Sequence, residues 1–484
     1  VATPIPPNEA RFSIDDVVCK IHGSLVHRGS VAISVGITTD SRAVVTGNAF
    51  VALRGGALDG HAFLDAAVAK GAVLLVIERG RSFTVSVSPS VSVVEVDDTL
   101  SAWGDLARAH LEAWRAKDPR RRVVAITGSA GKTTTKELTA ALLGTIGKTH
   151  FTAGNLNNRI GMPAMVFCLD DTHRFAVLEM GMSVPGEMAA MARIARPDVA
   201  VVVNVLLAHA EGVGGREGVM REKGAVYRAL REDGVAIVNA DDDFARRATD
   251  GMVAKYKVSF GVAADASVRL VRRTLEHAGS RIVVQAFARE LTVTLPVPGE
   301  VAAIDFVAAL AAEEAASGEC LSSERIDHAL AGLRVRGRGD VQVLGGNTLV
   351  LDDTYNANPG SMRAALSTLA EISAGRRRVV VLGEMKELGA FAEDEHRALG
   401  DAIADAGVSL AIGCGGLISL ALERARARGV ETIDAPSTAA AAHEAVARIH
   451  DGDAVLVKGS RSVGAEKVVT ALTEVLPTSP HSAS

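Results

Sequence analysis

VVAITGSAGKTTTKELTAALL, residues 123–143, reads as an apolar strand that runs into a glycine-bearing turn and then into a helix. Glycines in Gly128-Ser129-Ala130-Gly131 let the backbone curl so that its N–H groups face phosphate oxygens, and the following helix N-terminus adds positive potential. In such a loop, running on through Thr134, Lys132 reaches the β- and γ-phosphates and the Thr133 hydroxyl ligates magnesium. The longer pattern carries another glycine at position 126, where Ile126 stands, so this is a shortened loop. Its strand-loop-helix setting predicts nucleotide binding and an α/β fold.

Outward from this loop, apolar runs alternate with helical patterns. FAVLEM (175–180), VAVVVNV (199–205) and VAIVNA (235–240) are near-continuous Val/Ile/Ala strands, the signature of a parallel sheet covered on both faces. SVRLVRRTL and RIVVQAF, within 267–296, alternate instead and predict an antiparallel excursion. Before the loop, VAISVGITTD (31–40) and AVLLVIE (72–78) flank a helical HAFLDAAVAKG, and a charged helix, LSAWGDLARAHLEAWRAKD, leads to a linker at Pro119. After it, NTLVLDDTY, RRRVVVLGEM, VSLAIGCG and DAVLVKGS are strands of a third block. The organisation expected is 1–119, 120–334 and 335–484. Parallel strands present ligands at their carboxyl ends, where DDTYNANP, LGEMKELG and KGSRS stand.

The bulk properties bound the function. A chain of 484 residues is too long for one core, and 48% apolar with 23% charged residues describes a globular protein. A formal net charge of -5 argues against a general nucleic-acid binder. No apolar run approaches the ~20 residues of a membrane helix, and the N-terminal stretch does not read as a signal peptide. Four widely spaced cysteines without a CxxC pair fit a reducing compartment, so a cytoplasmic protein is expected, and separately a monomer.

P-loops serve kinases, NTPases and ligases alike. Glu179, at the end of its strand, is placed to add a carboxylate to magnesium. His209, two residues before Glu211, reads equally as a structural histidine or as a ligand at a sheet edge. Lys223, in MREKGAVYRAL, reads on its own as a surface lysine of a helix. Asn155, Asn157 and Asn158 in GNLNNRIGMP, and Asp353, Tyr355, Asn356 and Asn358 in DDTYNANPGSM, offer donors and acceptors to a polar ligand, or serve as turn residues and helix caps.

In order along the chain, TTDSRAVVTGNAFVALRGGALDGHAF, TGSAGKTTTKE, GNLNNRIGMP, HAEGVGGREGVMREKG, DDTYNANPGSM, LGEMKELG and VLVKGSRS resemble the Mur ligase family, in its D-alanyl-D-alanine-adding branch. The resemblance implies three domains: a small N-terminal α/β domain for a uridine-nucleotide substrate, a central P-loop ATPase-type domain with a mostly parallel sheet, and a C-terminal Rossmann-like α/β domain. It implies ATP and Mg2+ as cofactors, with UDP-N-acetylmuramoyl-tripeptide and D-alanyl-D-alanine as substrates joined through an acyl phosphate. It also assigns roles. Thr133 and Glu179 would hold one magnesium, and His209 with a carbamylated Lys223 the other. Arg338 would lie near the phosphates, and Asp353 near the ribose or the catalytic centre. Asp40, Ser41 and Arg42 would contact the uridine nucleotide; Asn155, Asn157 and Asn158 the peptide; Ser460 and Arg461 the incoming dipeptide. A sister ligase adding one amino acid and a non-catalytic nucleotide-binding homologue are the alternatives.

One segment departs from the family pattern. After PGE, where similar proteins carry a histidine, an amide and an asparagine near adenine, this chain has Val301, Ala302 and Asp305. Alanine cannot replace an amide's hydrogen bonds, each worth about 0.5–1.5 kcal/mol net. Weaker base selectivity is the expectation.

Overall fold

The computed structural model describes residues 3–55, 58–81, 89–206, 213–276, 279–335 and 337–476. His209 and Glu211 lie outside the described residues. Among the described residues the chain forms three main sheets.

The P-loop strand Arg122–Thr127 is an inner strand of the central nine-stranded sheet. Phe175–Glu179 and Val199–Val202 flank it in parallel, with Glu179 level with Ile126 and Val202 level with Thr127. Every residue of these two neighbours is buried, as continuous apolar runs require when helices cover both faces. The register matters for chemistry: it brings the strand-end carboxylate of Glu179 alongside the turn that follows Thr127. Three further strands, Val268–Glu276, Gly279–Ala286 and Arg289–Leu295, complete one edge, the last two pairing antiparallel as the alternating pattern foretold.

The helix Lys132–Gly144 starts at Gly131, whose φ of +79° is left-handed backbone that glycine adopts freely. It packs against Glu300–Ser317, a helix apolar on nearly all sides because it lies between the P-loop helix and the sheet.

The N-terminal five-stranded sheet runs in the order Ser24–His27, Ser92–Val96, Leu74–Glu78, Ala49–Val51, Ile37–Thr38. Residues 31–40, read above as one strand, divide into Ile33–Val35 and Ile37–Thr38, which pair with different partners. Gly36 makes the break: its φ is +79°, and a Cβ there would press on Asn48. The helix Thr99–Ala116 packs on helices of the central domain and shares their apolar core.

The C-terminal six-stranded sheet is parallel apart from Asp340–Leu344, which pairs antiparallel with Thr348–Asp353. Thr348–Asp353, Ala454–Lys458 and Arg378–Gly383 are adjacent, so the residues after all three converge at one edge. No helix among the described residues is long and apolar enough to cross a membrane.

Candidate active site

Ser129, Ala130, Gly131, Lys132 and Thr134 form one side of a cavity, and Arg338, Asp353, Asn356, Asn358 and Lys458 from the C-terminal part form another. Asp305 completes the wall from the helix Glu300–Ser317. Two hydrogen bonds tie the sides together: Asn358 Nδ2 donates to the Ser129 carbonyl at 3.2 Å, and Arg338 Nη2 donates to Thr133 Oγ1 at 3.2 Å. The same Asn358 caps the helix Pro359–Ile372, so both readings of this residue hold at once.

The expected metal pair comes together. Thr133 Oγ1 donates to Glu179 Oε2 at 3.0 Å, and Asn157 Nδ2 donates to Glu179 Oε1 at 2.8 Å. A hydroxyl and a carboxylate are hard oxygen donors of the kind magnesium takes, so this pair fits the ion. No cluster of three His, Cys, Asp or Glu side chains with metal-site geometry occurs among the described residues, which do not include His209.

Lys132 Nζ and Lys223 Nζ both donate to the Gly128 carbonyl, at 2.8 and 3.0 Å. The reading of Lys223 as a surface lysine is corrected here: it is 1% exposed, because the helix Gly215–Lys223 ends beneath the P-loop. Burial holds its pKa well below the usual lysine value, and the neighbouring Lys132 charge lowers it further, against Glu222. Lys132 is also lowered by burial, with Glu179 pulling it back up and Arg338 pushing it down.

Asp305 is 2% exposed, and its Oδ1 has no hydrogen-bond partner among the described residues. A Cβ on Gly131 would collide with this carboxyl, so the loop must carry glycine there. Burial drives the Asp305 carboxyl well above the ordinary range, with Arg338 and then Thr135 acting the other way. Beside it Val301 and Ala302 offer only apolar surface to the cavity.

Tyr355 lies between two guanidinium groups, Arg338 at 4.1 Å and Arg461 at 5.7 Å from its ring centre. Ser460, 3% exposed, accepts from the Lys386 N–H at 3.0 Å. The remaining expected residues lie away from this cavity. Asn158 accepts from Ile160 and Gly161 N–H at the start of the helix Gly161–Phe167, which is turn chemistry. Asn155 accepts from Thr3 Oγ1. Asp40 holds Arg42 through its side chain and backbone N–H, forming a compact turn with Ser41 in the N-terminal domain.

Two residues escaped the sequence reading. Asn204 Oδ1 accepts from the Ser129 and Ala130 N–H groups at 3.0 and 2.9 Å, holding the loop in shape from the next strand. An asparagine interrupting a valine run is the only signal it leaves. Lys458, 1% exposed, pairs with Asp353 at 2.5 Å and donates to the Asn356 carbonyl at 2.9 Å. A lysine closing an apolar strand beside DDTY is a fair hint of that pair.

Residues 126–313 match the Mur ligase middle domain, 337–461 the Mur ligase glutamate ligase domain, and 34–111 the Mur ligase family catalytic domain. The chain is 37% identical over 441 residues to the UDP-N-acetylmuramoyl-tripeptide--D-alanyl-D-alanine ligase of Escherichia coli (strain K12), covering 90% of this chain and 93% of that protein. A crystal structure of MurF from Acinetobacter baumannii superposes with a TM-score of 0.83 at 30% identity, over 98% of this chain and all (100%) of that one. MurF ligase from Thermotoga maritima, in complex with ADP, gives a TM-score of 0.79 at 28% identity over 91% of this chain and 97% of that one. With its domains matched in order and its relatives similar over nearly their whole length, the chain belongs to the Mur ligase family.

Proposed function

We propose that this protein uses ATP to join D-alanyl-D-alanine to the terminal carboxylate of UDP-N-acetylmuramoyl-tripeptide, giving the pentapeptide, ADP and phosphate. The observation that carries the reading is the single cavity with the P-loop on one side and the C-terminal strand ends on the other. It is supported by the relatives named above. A carboxylate is a poor electrophile. Transfer of the γ-phosphoryl group to it creates an acyl phosphate, which the dipeptide amine attacks through a tetrahedral species that expels phosphate.

Lys132 neutralises charge on the transferring group, and the Ser129–Thr134 backbone fixes its direction. Thr133 and Glu179 would hold magnesium, which supplies charge neutralisation at the phosphate oxygens. Cross-domain contacts from Asn358 and Arg338 bring the C-terminal wall onto the loop, where excluded water protects the acyl phosphate from hydrolysis. A need for ATP supports a cytoplasmic location.

Mass spectrometry after incubation with UDP-linked tripeptide, ATP and D-alanyl-D-alanine is expected to show the pentapeptide. Product only with a single amino acid, or phosphate release without amide, overturns the assignment. Base selectivity is expected to be loose. Val301 and Ala302 cannot read a base edge, and burial favours the protonated form of Asp305, which both donates and accepts. Comparable kcat/KM values for ATP and GTP are the expected result, and strict preference for ATP refutes it.

A further inference from the structure

Beyond the strand Arg378–Gly383, residues 384–388 cross the edge of the C-terminal sheet before a short helical turn and the helix Ala392–Asp405. Glu387 within this loop has a φ of +65°, a conformation that residues with side chains keep only when their surroundings impose it. The loop around it is anchored. Met385 and Leu388 are buried, and His396, 0% exposed, lies beneath them. Its Nε2 accepts from the Met385 N–H at 3.1 Å, and its Nδ1 is 2.6 Å from the Ala392 carbonyl oxygen.

A carbonyl only accepts and an amide N–H only donates, so Nδ1 carries the proton and Nε2 is bare. Both ring nitrogens are thereby spent. His396 has none left for a substrate or a metal, and its imidazole must be neutral to make both bonds.

The bracing continues across the sheet. Lys386 N–H donates to Ser460 Oγ at 3.0 Å, and Ser460 N–H donates to the Glu384 carbonyl at 3.3 Å. Gly383 and Gly459 are packed backbone to backbone: a Cβ on Gly459 would stand 3.2 Å from Gly383 Cα. The loops after the two strands therefore move as one body. Ser460, almost wholly buried, opens the short helical turn Arg461–Val463, so its bond to the Lys386 N–H also fixes where Arg461 starts. Beside it stand the Lys386–Glu384 ion pair and Arg461, charges suited to a zwitterion with an ammonium at one end and a carboxylate at the other.

We propose that His396 is a positioning residue for the incoming dipeptide: by holding Met385 it sets the Lys386 and Arg461 side chains where the acceptor docks. The inference rests on the ligase reading above and on the acceptor binding at this sheet edge. His396 touches no substrate, so its effect falls on one substrate's KM.

The test is steady-state kinetics of the full chain with each substrate varied in turn. Product formation by the unaltered protein with D-alanyl-D-alanine decides the ligase reading by itself; absence of product overturns that reading and, with it, this inference. Given product, H396L is expected to raise the dipeptide KM about tenfold or more, as misplacement of a docking group does. The KM values for ATP and for the UDP-linked substrate are expected to stay within about twofold. H396Q, whose amide oxygen can accept from the Met385 N–H, is expected to recover most of the loss. A uniform fall in kcat with all KM values unchanged, or H396Q no better than H396L, overturns the inference.

The pH profile decides the matter even where H396L does not fold. In the unaltered chain the dipeptide KM is expected to rise on the acid side, as protonation of Nε2 breaks the Met385 bond. Burial places that titration below the usual histidine value. Glu384 and Lys386 on the loop and Glu395 on the helix are the other charged groups facing the ring, and H396Q retains all three while losing the histidine's part of the rise. Protonation of the dipeptide's own amine raises KM in both proteins, so the readout is the further rise below the usual histidine value, and its persistence undiminished in H396Q overturns the inference.

Discussion

Lys132→Ala is expected to lose phosphoryl transfer by about 10²–10³-fold, corresponding to ~3–4 kcal/mol for one charged contact in a water-excluded site. The Lys132 ammonium is half-buried at the start of the helix Lys132–Gly144 and donates to the Gly128 carbonyl inside its own loop. Partial burial works against its charge and Glu179 works for it, so a polyanion entering the cavity meets a cation already partly desolvated and aimed. Little solvent has to reorganise when negative charge shifts during transfer.

The variant is expected to fold. Lys223 Nζ still donates to the Gly128 carbonyl, and Asn204 still holds the Ser129 and Ala130 N–H groups. ADP affinity, carried largely by the backbone cradle, is expected to fall far less than the rate. Phosphate release and calorimetric ADP binding, measured side by side, check both halves. Retention of more than about a tenth of the rate would show that transfer does not depend on this cation.

The parts of this site that are plain in the sequence are those whose geometry is local. A glycine turn between an apolar strand and a helix has few solutions, so the placement of Gly128 to Thr134, with Lys132 at the cavity wall, follows from spacing alone. Glu179 follows almost as directly, since a carboxylate closing a buried strand next to the P-loop strand has nowhere else to lie. Lys223 is different. Its neighbours Arg221 and Glu222 give the helix a solvated look, and only the fold, which tucks the helix end under Gly128 from 95 positions away, reveals a buried amine. Asn204 and Lys458 are likewise defined by partners distant in sequence, 75 and 105 positions for their hydrogen bonds to Ser129 and Asp353. The strands Asp340–Leu344 and Glu431–Ala435 escape notice for a simpler reason: they are sheet edges, largely half-exposed, and carry too few buried apolar residues to show a pattern.

Lys223→Ala is expected to lose about 10²-fold or more in activity, and to recover part of it with a small carboxylate in the buffer. A buried lysine beside a second lysine is a poor place for an ammonium: desolvation and Lys132 both oppose the charge, and only Glu222 favours it. A free amine attacks carbon dioxide and gives up a proton, and a carbamate formed here would replace a nitrogen ill suited to magnesium with two hard oxygens. The sign of the pH effect follows. With its pKa depressed, the amine is neutral above that pKa and protonated below it, so carbamate and activity are lost as pH falls through the depressed value and retained above it. Formate or acetate, filling the space left in Lys223→Ala, supplies comparable oxygens, whereas methylamine does not. An NMR signal from ¹³C-labelled carbon dioxide bound to the unaltered chain and missing from the variant gives a readout independent of turnover. If methylamine restores the variant as well as formate does, the lysine acts as an amine and the carbamate assignment fails.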